Sequence, residues 1–261
     1  MNEKRFDGKA AAYAAFRPSY PQAFIDYLYT RVGFTPASPI ADIGAGTGIL
    51  TKLLLERGNS VYAVEPNADM RGEAERSLGG FANYHSLPGT AEATQLADHS
   101  VAFVTVAQAF HWFGRAKFRQ ECHRILTPGG RVALVWNSRV PNDNLARDSD
   151  ALYAKYCEPY RDSASGSAPK PPNGTRGIFA SDEDFSDFFT APWEVHEFPN
   201  DLTVNLETFL GRNLSSSYTP KPDQPNHHPF LAALTELFHA YSHDGLLVMP
   251  TVAKSYVGTV D

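Results

Sequence analysis

The chain has 261 residues, of which 43% are hydrophobic and 20% are charged, and its formal net charge is -6 at pH 7. This length and composition are enough to bury a full hydrophobic core, and they predict a single domain, residues 1–261, with insertions. Nucleic-acid binding relies on clustered Lys and Arg, and no such cluster accompanies the negative net charge. The composition therefore argues against nucleic acid as the main partner.

The sequence carries no signal that predicts export or a membrane partner. Residues 1–16 mix charged and small residues and lack the apolar centre of a signal peptide. No apolar run reaches the roughly 20 residues that a membrane-spanning helix needs. Cys122 and Cys157 have no metal-type spacing and cannot make a disulfide framework. We therefore expect a cytoplasmic location.

The first segment, residues 1–32, is predicted to form a helical cap. Residues 9–16 are rich in Ala, and residues 22–31 carry Phe24, Ile25 and Leu28 at the spacing of one helical face. Pro21 suits the first turn of this second helix because its fixed φ is already helical.

Residues 39–50 are the most informative stretch of the chain. A short apolar run with Ile40 and Ile43 predicts a buried strand, and residues 49–57 then predict a helix. Between them, Gly44, Gly46 and Gly48 predict a tight turn. Glycine at alternate positions lets a ligand touch bare backbone, and the amides at the helix start attract polar or anionic groups. This turn predicts a site for a nucleotide-like cofactor.

Strands and helices then alternate. The predicted strands are residues 61–65, 81–85, 101–106 and 131–136, and the predicted helices are residues 68–78 and 117–126. Residues 127–130, Thr-Pro-Gly-Gly, predict a turn before the last of these strands. This alternation is typical of an α/β protein with a doubly wound, largely parallel sheet.

The pattern loosens after residue 140. Residues 145–160, 182–189, 206–210 and 230–241 predict helices; residues 193–198 predict a strand, and residues 246–257 a strand pair or one long strand. Residues 162–174 are rich in Ser, Gly, Pro and Lys and predict a mobile loop, and residues 215–229 predict a second loop. We interpret residues 141–230 as a partly inserted region that forms a substrate lid.

Two cofactor classes use a strand, a glycine turn, a helix and an acid at the end of the next strand. A dinucleotide site needs Gly-x-Gly-x-x-Gly, but here the third glycine falls one residue early and Ile49 occupies the required position. Glu65 ends the second predicted strand and is placed to accept two hydrogen bonds from ribose hydroxyls. The pattern favours S-adenosylmethionine over a dinucleotide. The alternative is a tight turn beside an ordinary surface glutamate.

Further motifs extend this interpretation. They are Asp-Ile-Gly-Ala-Gly-Thr-Gly at 42–48, Val-Glu-Pro-Asn at 64–67, Gly-Thr-Ala-Glu at 89–92, Gln-Ala-Phe-His-Trp-Phe at 108–113 and Leu-Thr-Pro-Gly-Gly at 126–130. With them the chain resembles the class I S-adenosylmethionine-dependent methyltransferases. Within that class it resembles the small-molecule branch, which includes the ubiquinone and menaquinone C-methyltransferases, and more closely the trans-aconitate methyltransferase-like proteins. The closer resemblance extends to Phe6, Ala10, Tyr13, Arg17-Pro18 and Tyr20-Pro21 near the start, and to residues 216–220 late in the chain.

The resemblance implies a seven-stranded Rossmann-like sheet whose last strand is antiparallel. It also implies S-adenosylmethionine as cofactor, with the glycine turn and Asp42 on its methionine part, Glu65 on the ribose, and Ala91 with Glu92 on the adenine. The residues assigned to cofactor binding are Tyr13, Asp42, Gly44, Ala45, Gly46, Gly48, Glu65, Pro66, Ala91, Glu92 and Gln108.

Aromatic rings are suitable walls for a sulfonium because a cation is attracted to a ring face. The candidates are Tyr13, Tyr20, Phe110, Trp112 and Tyr218. An alternative for Phe110 and Trp112 is that they fill the core beneath the cofactor.

His111 follows the fourth strand, at the sheet edge where ligands of such folds bind. It could serve as a base for a hydroxyl, amine or carbon acid, or have a structural or helix-capping role. A carboxylate acceptor needs no base, because it is already ionised at neutral pH. Arg17, Arg139 and Arg212 would then orient it, unless they are solvated surface residues. The candidate catalytic residues are His111, Tyr20, Arg17 and Tyr218.

The leading hypothesis is an enzyme that methylates a small-molecule acceptor, with carboxylates among the candidates. The alternatives are a non-catalytic S-adenosylmethionine-binding regulatory protein and a nicotinamide-dependent dehydrogenase. The pairs His227–His228 and His239 with His243 lack a carboxylate or thiol set of metal-site spacing, so no metal is predicted. The sequence predicts no particular oligomeric state.

Overall fold

The structure is a computed structural model that describes residues 10–140, 144–157, 185–190, 192–216 and 218–260. The predicted mobile loop, residues 162–174, lies outside these residues, as do the start of the predicted cap and part of the predicted lid.

The main sheet has seven strands. These are β1 (Ile40–Ile43), β2 (Val61–Val64), β3 (Tyr84–Leu87), β4 (Val101–Ala107), β5 (Leu126–Arg139), β6 (Glu194–Pro199) and β9 (Thr251–Gly258). Their order is β3-β2-β1-β4-β5-β9-β6. Strands β1 to β5 pair in parallel, whereas β9 is antiparallel to both of its neighbours, β5 and β6. The predicted α/β fold with an antiparallel last strand is confirmed.

Helices follow most of the parallel strands. They are α1 (Ala10–Phe16), α2 (Gln22–Tyr27), α3 (Ile49–Glu56), α4 (Ala68–Leu78), α5 (Arg115–Ile125), α6 (Asn144–Tyr156), α7 (Leu206–Leu214) and α8 (His227–Tyr241). The second helix continues into a π-helical turn, Leu28–Val32, which ends at Gly33 with a positive φ of 99°. Within the described part of the chain, no helix is long and apolar enough to cross a membrane.

Hydrophobic cores lie on both faces of the sheet. On one face, Phe24 of α2, Leu28 of the π-helical turn and Leu54 of α3 pack with strand residues such as Ile40. On the other face, α5 contributes Phe118, which packs in the cluster that also contains Phe110 and Trp136. Because strand side chains alternate between faces, each buried strand serves both cores. The sheet is therefore doubly wound.

A third core cluster lies in α6, α7, α8 and a small sheet of β7 (Leu202–Val204) and β8 (Leu247–Met249). Its centre includes Tyr153, Phe209 and Phe230, all at most 2% exposed. These elements come largely from the region predicted as a lid, although β6 of that region belongs to the main sheet. The lid role of residues 141–230 stays a prediction.

Two predicted elements differ in detail. The predicted turn 127–130 is a bulge inside β5, because Leu126 pairs with Val101 whereas Arg131 already pairs with Phe103. The predicted strand at residues 246–257 is two strands in different sheets, β8 and β9. Pro250 separates them, and proline cannot donate a hydrogen bond to a strand ladder.

Candidate active site

The glycine turn between β1 and α3 has the backbone conformation that only glycine adopts easily. Gly44, Gly46 and Gly48 have φ of 68°, 59° and 83°. A Cβ on Gly44 would lie 2.6 Å from the Cβ of Ala109, and a Cβ on Gly48 would lie 2.5 Å from Leu78. The first and third glycines are therefore needed for packing as well as for backbone conformation.

Glu65 braces this turn from the end of β2. Its Oε2 accepts a hydrogen bond from the Gly46 amide at 2.9 Å, and its Oε1 accepts one from the Asn67 amide at 2.9 Å. Burial raises the pKa of Glu65, although the two amides favour the ionised form. Next to it, the Pro66 carbonyl accepts a hydrogen bond from Arg71 at 3.3 Å, and the Ala45 amide donates to Val64 at 3.2 Å. The predicted ribose contact of Glu65 stays a prediction.

Asp42 lies beneath the turn rather than on its surface. It is 1% exposed, and its two carboxylate oxygens accept hydrogen bonds from the hydroxyls of Thr51 at 2.6 Å and Thr105 at 2.8 Å. Burial raises its pKa to about 6. Asp42 therefore ties β1 to α3 and β4. Its predicted contact with the methionine part of a cofactor stays a prediction.

Ala91 and Glu92 lie near the start of α5. Ala91 is buried, and the Oε1 of Glu92 accepts a hydrogen bond from the Gly114 amide at 2.8 Å. This bond satisfies one of the free amides at the start of α5, which was not expected from the sequence. Their predicted contact with adenine stays a prediction.

The second feature of the site is a cavity at the carboxyl ends of β4 and β5, next to the glycine turn. It is lined by Tyr13, Arg17, Pro18, Tyr20, Ile49, Gln108, Trp136, Asn137, Ser138, Arg139, Tyr153, Arg212, Asn213, Ser216 and Tyr218. All three arginines singled out in the sequence thus meet in one cavity, although they come from three distant segments. Three of the predicted aromatic residues, Tyr13, Tyr20 and Tyr218, lie in the same wall.

The cavity carries an excess of positive charge. Arg139 is 3.8 Å from the carboxylate of Asp150, and its Nη2 donates to the Tyr153 hydroxyl at 3.4 Å. Arg17 donates to Ser216 at 3.4 Å. Burial, together with the charges of Arg17 and Arg139, lowers the pKa of Arg212 to about 9. An anion in this cavity would relieve that repulsion.

The remaining predicted residues fall into different surroundings. Phe110 is 1% exposed and packs edge-on against Phe118 and Trp136. It therefore fills the core, which was the alternative considered for it from the sequence. Trp112 is half-buried against the same core. Gln108 has a φ of 58° at the end of β4 and donates from its Nε2 to the Asn137 carbonyl at 3.1 Å.

His111 is not among the residues that line the arginine cavity. Both of its ring nitrogens are buried, and neither has a hydrogen-bond partner among the residues that the structure describes. Burial lowers its pKa to about 3, so the imidazole is neutral at pH 7. Its predicted role as a base stays a prediction.

Tyr153 and Asn213 line the cavity, but the sequence did not predict them as site residues. The Tyr153 hydroxyl donates to the Oδ1 of Asn213, whose Nδ2 donates to the Phe209 carbonyl at 2.6 Å. In the sequence, Tyr153 belongs to an apolar stripe of α6 with Leu145, which looks like ordinary core. No cluster of three or more metal-ligand side chains occurs in the described ranges.

Comparison with known proteins agrees with this architecture. Residues 41–134 match the methyltransferase domain family. An uncharacterized methyltransferase of Mycobacterium tuberculosis is 40% identical over 157 residues, which are 60% of this chain and 62% of the relative. Another, from Geobacillus kaustophilus, is 31% identical over 158 residues, which are 56% of this chain and 68% of the relative. The match thus spans less than two thirds of the mycobacterial protein.

Among solved structures, a protein described as a type II methyltransferase from Anaeromyxobacter dehalogenans has a TM-score of 0.57 at 23% identity. The similarity covers 94% of this chain and 98% of that chain, and it shows a shared fold. The chain belongs to the class I S-adenosylmethionine-dependent methyltransferases, as the sequence motifs predicted. The cofactor of this class is S-adenosylmethionine, which leaves the dehydrogenase alternative without support. The trans-aconitate-like branch stays a prediction.

Proposed function

We propose that this protein transfers a methyl group from S-adenosylmethionine to the carboxylate of a small organic acid. The observation that carries the proposal is the meeting of Arg17, Arg139 and Arg212 in one cavity beside the glycine turn. Burying like charges together is costly, so a cavity of this kind is suited to an anionic ligand.

The residues around the turn fit the methyl donor. The three glycines leave bare backbone, and Glu65 presents a carboxylate whose remaining lone pairs are available to ribose hydroxyls. The Thr47 hydroxyl is buried in the turn with no hydrogen-bond partner among the described residues, which suits a polar ligand group. We therefore propose that the turn, Thr47 and Glu65 hold the cofactor.

When bound, S-adenosylmethionine supplies the methyl group, whose carbon becomes bonded to the acceptor oxygen while the carbon–sulfur bond breaks and its electron pair stays on sulfur. The products are a methyl ester and S-adenosylhomocysteine. An ionised carboxylate has no proton to lose, so this chemistry agrees with a neutral His111 of low pKa.

The arginines would hold and orient the acceptor. A guanidinium binds a carboxylate through two parallel hydrogen bonds, which fixes the direction of the oxygen lone pairs. Tyr20 and Tyr218, at 8% and 7% exposure, close the wall of the cavity and would keep water from it. Positioning in a dry cavity is the main contribution a protein can make to such a displacement.

The proposal is tested with labelled methyl donor and a panel of organic acids, each paired with its neutral amide. We expect transfer to one or more acids and none to the matching amides. In Arg212→Ala, we expect KM for the accepted acid to rise about 10- to 100-fold, since a charged hydrogen bond contributes about 1.5–3 kcal/mol.

The matched control is Arg147→Ala, because the Arg147 side chain is 71% exposed on α6 and forms an ion pair with its neighbour Asp148. It should leave KM unchanged. Transfer to amides as fast as to acids would contradict the proposed acceptor class. Donor binding without transfer to any acceptor would favour the regulatory-protein alternative.

A further inference from the structure

Helices α1 and α7 make an unusually close contact beside the cavity. Phe16, the last residue of α1, lies on Gly211 of α7. A Cβ on Gly211 would lie 2.5 Å from the Cδ2 and Cε2 atoms of Phe16 and 2.6 Å from its Cγ. Real Cβ atoms do not approach other atoms so closely, and Cγ cannot be moved away by rotating the ring about its own axis. Only glycine at position 211 permits this approach.

In each of the two helices' segments, the residue that follows the contact in the chain is an arginine that lines the cavity. Arg17 follows Phe16, and Arg212 follows Gly211. Both side chains line the cavity, and the charge of Arg17 acts on Arg212. The contact of Phe16 with Gly211 therefore determines how closely the two backbone segments that carry these arginines approach each other.

The chain after Arg17 is fixed at a second point. The Ser19 carbonyl accepts hydrogen bonds from the Nδ2 atoms of Asn137 at 3.2 Å and Asn200 at 3.0 Å. Ser19 is held to the sheet side of the cavity, and Phe16 is packed against α7. Arg17 therefore lies in a short segment whose two ends are both fixed. Moving Phe16 away from α7 must change the direction in which Arg17 reaches the cavity.

We propose that Gly211 is a positioning residue for the acceptor. By letting α1 approach α7, it places Arg17 and Arg212 close enough to bind one anion between them. This inference rests on the proposed function, in which an organic acid occupies the cavity. In this proposal, the spacing of the two guanidinium groups depends on a residue that has no side chain of its own.

The test is Gly211→Ala, with Gly72→Ala as the matched control. Gly72 is also in a helix, α4, but a Cβ there would meet nothing within 4 Å. Alanine has the higher helix propensity, so neither substitution weakens its helix intrinsically. We expect Gly211→Ala to raise KM for the accepted acid about 10- to 100-fold, the effect of losing one charged contact. The dissociation constant of S-adenosylhomocysteine should not change in either variant.

A second substitution keeps the test valid if Gly211→Ala fails to fold. Phe16→Ala removes the ring from Gly211 without adding bulk, and it should also raise KM because α1 loses its contact. In the double variant the new methyl group occupies space that the ring has left. KM should therefore rise less than the product of the two single effects.

The outcomes separate this inference from the proposed function. If the wild-type protein methylates an acid and Gly211→Ala leaves KM unchanged, the positioning role is overturned while the acceptor class stands. If no acid is methylated, the proposed function fails and the inference fails with it. Crystal structures of wild type and Gly211→Ala should show a wider separation of Arg17 and Arg212 in the variant, and an equal separation would also overturn the role.

Discussion

Glu65→Gln is the substitution that best tests how the glycine turn binds its cofactor. Glu65 accepts one backbone amide with each carboxylate oxygen, at 2.9 Å to Gly46 and 2.9 Å to Asn67. Glutamine keeps the shape but has only one oxygen, and its NH₂ group can donate but not accept. One of the two amides therefore loses its acceptor, and the ribose hydroxyls, in the proposed complex, lose a charged acceptor.

The expected size of the effect follows from these contacts. An amide left without an acceptor costs about 1–3 kcal/mol of the free energy of unfolding, which lowers Tm by roughly 2–4 °C per kcal/mol in a chain of this size class. Replacing the charged acceptor of the ribose should weaken S-adenosylhomocysteine binding about 10- to 100-fold. Because burial raises the pKa of Glu65, wild-type affinity should fall at a less acidic pH than for an ordinary glutamate.

The assay is calorimetric titration with S-adenosylhomocysteine between pH 5 and pH 8, together with thermal unfolding. Glu56→Gln is the matched control. The Glu56 side chain is 48% exposed on α3, and its ion pair with Lys52, at 3.8 Å, is open to solvent. It should change neither affinity nor Tm. Equal affinity of wild type and Glu65→Gln across this range would refute the ribose assignment.

Two further substitutions test the supporting residues. Asp42 has a folded-state pKa near 6, raised by burial, so its contribution to stability is present below the ordinary Asp pKa and is lost as pH rises through 6. Between pH 4 and pH 7 the free energy of unfolding of wild type should therefore fall by about 2–3 kcal/mol relative to Asp42→Asn; parallel urea-unfolding curves at both pH values would contradict this. Tyr153→Phe leaves the buried Oδ1 of Asn213 without its donor and should cost about 1–3 kcal/mol, measured by urea unfolding. Tyr156→Phe, at a partly buried tyrosine on the same helix, is its control, and equal losses in both variants would contradict the role of the Tyr153 hydroxyl.

The fold could be predicted where the signal is local. The glycine turn requires positive φ at three positions, and this constraint is visible as three glycines at alternate positions. The buried strands appear as short apolar runs, so β1, β2 and β4 were found within one residue of their observed ends. The bulge in β5 was missed because Thr-Pro-Gly-Gly has the composition of a turn, whereas its place in a strand depends on pairing with β4.

The site could be predicted only in part, because its two halves depend on different information. Glu65 follows β2 directly, so the parallel sheet brings it to the glycine turn. Arg17, Arg139 and Arg212 were candidates, but nothing local separates them from solvated surface arginines. Their meeting depends on how α1 and α7 pack against the end of β5.

The hydrogen-bond partners of buried polar side chains were also beyond what the sequence could predict. The resemblance implied that Asp42 contacts the methionine part of the cofactor, which stays a prediction, but the sequence did not show that its carboxylate accepts hydrogen bonds from Thr51 and Thr105 in the interior. A single sequence does not show which hydroxyls a buried carboxylate will find. Tyr153 was not predicted as a site residue, because it lies on the buried face of α6 and its hydroxyl is the one polar group at the end of an otherwise apolar ring.

The central claim is that the methyl group is transferred to a carboxylate held by the arginine cavity. The most direct measurement uses S-adenosylmethionine with a ¹³C-labelled methyl group and identifies the labelled product by NMR before and after mild alkaline hydrolysis. We expect a methyl-ester signal that is lost on hydrolysis and is much weaker with Arg212→Ala. An alkali-stable label on nitrogen, carbon or sulfur would contradict it.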